Sequence, residues 1–208
     1  MTQTNTAGAA DTLGNLDYAL EMAKAGREQP LLGGPIGLMW GVLLAAVFLF
    51  QYGVLSGALG LPVVSLGIAW LAFAVVGGIG VLVLGRRQSS RPGAQSLNNK
   101  VETHVWIMFT AALLSLVTGV ILNQLLNGGS AQMWDMILVF GFAGQALAYG
   151  VVARLTGLGW VAYASVAAAV SAAATLAVYG DIVIYLVGAA GVFLSVIIPS
   201  IISIRRAA

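Results

Sequence analysis

The chain has 208 residues, of which 60% are apolar, 8% are charged and 27 are glycine, whereas about a quarter of the residues in a soluble domain carry charge. This composition excludes an ordinary soluble enzyme, and a net charge of +2 from nine basic and seven acidic residues excludes the basic face that nucleic acid needs. The absence of cysteine removes disulfides, thiolate metal sites, iron–sulfur clusters and covalent haem attachment.

In chain order, residues 1–30 are polar and precede the first long apolar run, so no cleavable secretory signal is expected. Within them, residues 11–28 fit a short amphipathic helix with Leu13, Leu16, Leu20 and Ala23 on one side and Asp17, Glu21, Lys24 and Glu28 on a polar stripe. Four acids (Asp11, Asp17, Glu21, Glu28) against two bases (Lys24, Arg27) give this tail a local charge of −2. That argues for docking on protein rather than on an anionic lipid surface.

No residue between Glu28 and Arg86 carries a formal charge. About 20 residues cross the hydrocarbon, so the stretch must turn back, and Leu59-Gly60-Leu61-Pro62 marks the break. Helices are expected near 34–57 and 62–85. The polar stretch from Arg86 to Lys100 reads as a loop, and Asn99-Lys100-Val101-Glu102 has the form of a capping box opening a helix near 103–126. Glycine-rich turns then separate helices near 133–155, 159–180 and 182–204, the last capped by Asp181 and bent at Pro199. The fold class expected is an all-α polytopic membrane bundle, residues 31–206, of about six helices in three hairpins after a short cytoplasmic helix.

All nine basic residues fall on one side of this layout, and only Asp135 and Asp181 fall on the other. Lys and Arg are enriched in cytoplasmic loops, so both termini are expected inside. Trp40, Gly60, Arg86; Trp106, Gly128, Arg154; and Trp160, Gly180, Arg205 form a threefold echo. Parallel repeats build some transporters, yet interfacial Trp, glycine turns and inside Arg also suit any hairpin of bilayer length.

Proteins that move ions or protons usually retain ionised groups at mid-membrane, and this chain has none there. Asp135 and Asp181 read as helix-end charges, with a cation site as the sharper alternative. The deepest polar side chain is Gln145, and Gly141, Gln145 and Tyr149 share one helix face. Such a face is expected to point inward, as a polar contact for a small ligand or as an interhelical hydrogen bond. Small residues at Ala164, Ala167, Ala168, Ser171, Ala172 and Thr175, with Gly188 and Gly191, suit close helix packing or a slot for a flat apolar ligand such as a quinone or pigment.

The single histidine, His104, cannot by itself form a paired-histidine haem site or a two-histidine zinc site. Lys24 and Lys100 lie outside the apolar runs, which removes a Schiff base in the membrane. No nucleophile–base pair, cofactor site or metal site is recognisable, and no enzymatic activity is expected.

Gly26-Arg27-Glu28-Gln29-Pro30-Leu31-Leu32-Gly33-Gly34 before Trp40-Gly41, and Asn99-Lys100-Val101-Glu102 before Val105-Trp106, resemble small bacterial six-helix inner-membrane proteins of unassigned function. The resemblance implies a bacterial inner (plasma) membrane and assigns no site residue. Two functions are expected to compete. One is an accessory subunit or signalling anchor that meets a protein partner, or itself, through the cytoplasmic face and the tail residues Leu13, Leu16, Leu20, Asp17 and Glu21. The other is a small-solute permease or channel using Gln145 and Tyr149.

Overall fold

The computed structural model describes residues 31–130 and 132–207. The amphipathic tail, with Leu13, Leu16, Asp17, Leu20 and Glu21, lies outside the described residues. Among the described residues, six helices are long and apolar enough to cross a membrane. They are α1 (Gly34–Leu55), α2 (Val64–Ser89), α3 (Leu97–Asn127), α4 (Met133–Thr156), α5 (Gly159–Ala177) and α6 (Ile184–Ala207). The protein is an all-α, multi-pass membrane protein.

Local chemistry explains most boundaries. Pro35 opens α1 at its first turn, where its missing N–H removes no helical bond. Gly128 and Gly157 end α3 and α4 in the left-handed region, at φ 64° and 72°, where a side chain would be strained.

Two ends depart from the sequence expectation. The start of α3 is capped by Ser96, whose side chain accepts from the Asn99 N–H, so the helix begins a turn earlier and frees Asn99 and Glu102 for other partners. In α6 the bend expected at Pro199 takes the form of a π-helical turn over Phe193–Ile197. The proline ring crowds the carbonyl four residues back, that of Ser195, and widening the preceding turn relieves the contact.

Neighbouring helices follow the order α2, α1, α6, α5, α4, α3. The seam between α1 and α6 is built on Gly34, Gly37 and Gly41, whose missing side chains leave room for Ser203, Ser200 and Val196. This close approach supplies the van der Waals contact that holds helices together where burial from water cannot. On α5 the small face is also filled: Ala164, Ala168, Ser171 and Thr175 are buried, and Gly191 of α6 lies against Ser171 and the Phe142 ring.

Long side chains of α4 reach α6 across this centre, where Phe48, Leu138, Phe142, Tyr185 and Val192 form the larger apolar cluster. The outer helices contrast with it. Gly77, under the Trp40 ring, is the only buried residue of α2. Ile68, Leu71 and Leu82 of α2 and Met108 of α3 are exposed, as expected of surface that faces lipid tails.

Candidate functional site

Alternating helix directions bring the start of α1, the start of α3, and the ends of α4 and α6 together at one end of the bundle. Seven described basic residues, Arg86, Arg87, Arg91, Lys100, Arg154, Arg205 and Arg206, belong to loops and helix ends on this side. Here the chain entering α1 is strapped down. The Leu32 N–H donates to Asn99 Oδ1 at 2.8 Å, and the Gly33 N–H donates to Glu102 Oε2 at 3.2 Å. On the opposite flank, Ser203 Oγ donates to the Leu31 carbonyl at 3.0 Å.

The side chains of the strap are as fixed as its backbone. Leu31 and Leu32 are 3% and 6% exposed, and Leu31 packs with Tyr149, Val152, Val161 and Ala164. Asn99 also donates through Nδ2 to the Gly93 carbonyl and to Ser96 Oγ, both at 3.0 Å. One buried amide thus ties the strap to the loop between α2 and α3. Glu102 leaves no space beside Gly33, so a side chain there would displace the carboxylate. Residues 31–33 therefore join α3 to α6.

Gly141, Gln145 and Tyr149 do not form one shared polar surface. Gly141 faces Leu113 of α3, and Tyr149 is buried with its ring edge-on to Trp106 at 5.0 Å. Gln145 instead meets Ser195, whose Oγ lies 3.4 Å from Gln145 Oε1 and donates at 2.8 Å to the Gly191 carbonyl. Ser195 sits in the π-helical turn and is fully buried. The polar contact nearest mid-membrane is thus an interhelical hydrogen-bonding pair placed where α6 is irregular.

The two aspartates at the other end differ from each other. Asp181 Oδ1 accepts the Val183 N–H at 2.9 Å and so serves the start of α6, although Val183 itself occupies the cap position. Asp135 is only 7% exposed and accepts from the Tyr185 hydroxyl at 2.7 Å. It lies in the first turn of α4, the helix-end place expected of it, and is also a buried interhelical acceptor. Nearby, Trp70 Nε1 donates to Gln51 Oε1 at 2.9 Å.

Ring contacts extend this region from Tyr185 through Phe48 and Trp70 to Phe73 and Trp40, with centroids 5.1 to 6.3 Å apart. Gln51 carried a visible signal, being the only amide in the uncharged stretch from residue 29 to 85 apart from Gln29. Tyr185 carried none, because a tyrosine at a helix end is common at any membrane interface.

His104 is exposed, and its Nδ1 lies 2.7 Å from the Lys100 carbonyl, a local bond in which the nitrogen donates. No group of three or more His, Cys, Asp and Glu side chains among the described residues could hold a metal ion. The arrangement offers clamping and interhelical hydrogen bonding, with its densest polar work at the strap. Compared with known proteins, the chain matches no family, no curated sequence and no solved structure.

Proposed function

We propose that the protein is a non-enzymatic accessory subunit or signalling anchor of a bacterial inner membrane. Its tail and the basic loop between α2 and α3 would meet a protein partner on the cytoplasmic side. The observation that carries this reading is the strap: Asn99, Glu102 and Ser203 hold residues 31–33 on the basic end of the bundle. Immobilising the exit of the tail reduces the conformational freedom a partner must remove on binding. The gathering of Arg86, Arg87, Arg91 and Lys100 beside that exit supports a cytoplasmic orientation.

The test is affinity purification of the full chain from its native membrane in mild detergent, beside a chain lacking residues 1–28. The reading expects a stoichiometric partner that the shortened chain loses while its bundle stays folded. Recovery of both chains alone, across several detergents, refutes it.

A small-solute permease is the second reading, favoured by the π-helical turn that brings Ser195 to Gln145, because such turns recur at functional sites. It expects solute flux in liposomes that Gln145→Leu abolishes at unchanged stability. No flux, together with a change in stability alone, refutes it.

A further inference from the structure

A groove of about 450 Å³ lies between the end of α4 and the start of α5, and two of its lining residues, Ala153 and Leu158, also pack against the cluster that holds Leu31. It is a groove open to the surface rather than an enclosed cavity, so an occupant would stay partly exposed. The groove exists because small residues line it, among them Gly150, Gly157 and Ala162, while Ser165 Oγ, on its wall, is engaged by donating to the Ala146 carbonyl of α4 at 2.7 Å. A Cβ at Gly157 would meet nothing within 4 Å, so the upper part is open. Arg154 stands at its rim and is exposed.

No ion pair joins Arg154 to a described acid: Glu102 meets the Gly33 N–H at the strap, while Asp135 and Asp181 lie at the other end of the bundle. Val166, 62% exposed on the lipid side, lies seven residues beyond Gly159, about 10 Å deeper at 1.5 Å per residue. The groove thus has a cationic rim at the interface and an apolar wall running into the membrane. Basic pockets between spanning helices are suited to lipid head groups.

We infer that this groove binds an anionic phospholipid, with the head-group phosphate on Arg154 and the first part of an acyl chain along Ala162 and Val166. A free phosphate shares the first contact and lacks the second. The proposal does not depend on the tail or on any partner.

The test titrates the full-length protein, in neutral detergent, with phosphatidylglycerol, with phosphatidylcholine of the same chains, and separately with inorganic phosphate. Native mass spectrometry counts bound lipid, and the thermal midpoint reports stabilisation. One retained phosphatidylglycerol and a raised midpoint are expected, with both effects weaker for phosphatidylcholine, whose choline cation offsets the phosphate charge, and neither from inorganic phosphate. Arg154→Gln weakens binding by about fivefold, the equivalent of roughly 1 kcal/mol per basic residue near a charged surface. Ala162→Phe, which fills the groove and keeps the charge, weakens it at least as much.

Arg206→Gln, at the same end and outside the groove, retains the wild-type affinity. Equal losses in Arg206→Gln and Arg154→Gln overturn the proposal in favour of diffuse surface charge. Unchanged binding in Ala162→Phe overturns the groove as the site, and equal stabilisation by inorganic phosphate overturns the lipid.

Discussion

Replacing Asn99 with alanine is the most direct perturbation of the strap. The side chain accepts the Leu32 N–H at 2.8 Å and donates to the Gly93 carbonyl at 3.0 Å, and it is 3% exposed. Removing it leaves the N–H of the buried Leu32 without its acceptor, at a cost of about 1–3 kcal/mol. Gly33 with Glu102 and Ser203 with Leu31 keep their bonds, so the strap loosens while the helices remain. A loss of about 2 kcal/mol, at 1.4 kcal/mol per tenfold, raises the population of the locally opened strap about 30-fold.

The assay uses the natural absence of cysteine. Leu31→Cys, at a position 3% exposed, introduces a single thiol whose maleimide labelling rate reports opening. That rate is expected to rise about 30-fold when Asn99→Ala is added, with helical circular dichroism unchanged. Labelling within about twofold of the Asn99 background, or labelling that is already as fast as an exposed thiol before Asn99 is changed, refutes the strap as a buried and fastened element.

Tyr185→Phe and Asp135→Ala remove opposite partners of one buried bond of 2.7 Å. A double-mutant cycle of unfolding in mixed micelles is expected to give a coupling of about 1 kcal/mol, within the ceiling of about 1.7 found for hydrogen bonds between membrane helices; additive losses refute the pairing. Gly191→Val places atoms against the Phe142 ring and Ser171, which a Cβ would already approach to 2.7 and 2.8 Å, and should destabilise by about 1–3 kcal/mol. Gly67→Ala on α2 meets open space and should be neutral or stabilising by up to about 1 kcal/mol. The same unfolding measurement separates them, and equal effects of the two substitutions contradict the packing described.

The course of the bundle was legible because hydropathy and charge act locally along the chain. Six apolar segments, glycine turns and the one-sided distribution of Arg and Lys are properties of consecutive residues, and the helices lie close to where those properties locate them. Polar pairing was less legible. Asn99 and Glu102 carry the spacing of a capping box, yet Ser96 takes the cap and the pair turns to residues 32 and 33, which lie 67 and 69 residues away. Local spacing states what a side chain can bond and leaves open which of several acceptors or donors will be near. Gln145 shows the same limit, since its helix face was readable but its partner Ser195 comes from a helix 50 residues later.

By itself, the sequence determined that this is a multi-pass α-helical membrane protein with its basic residues gathered toward one end, because lipid demands internally satisfied backbone and long apolar helices. Only the tertiary structure decided which helices are neighbours, that Asp135 is buried against Tyr185, and that residues 31–33 are fastened between α3 and α6. Those outcomes depend on shape at helix crossings, where glycine seams and widened turns let particular side chains meet. Such meetings join residues far apart in the chain, and no local pattern encodes them.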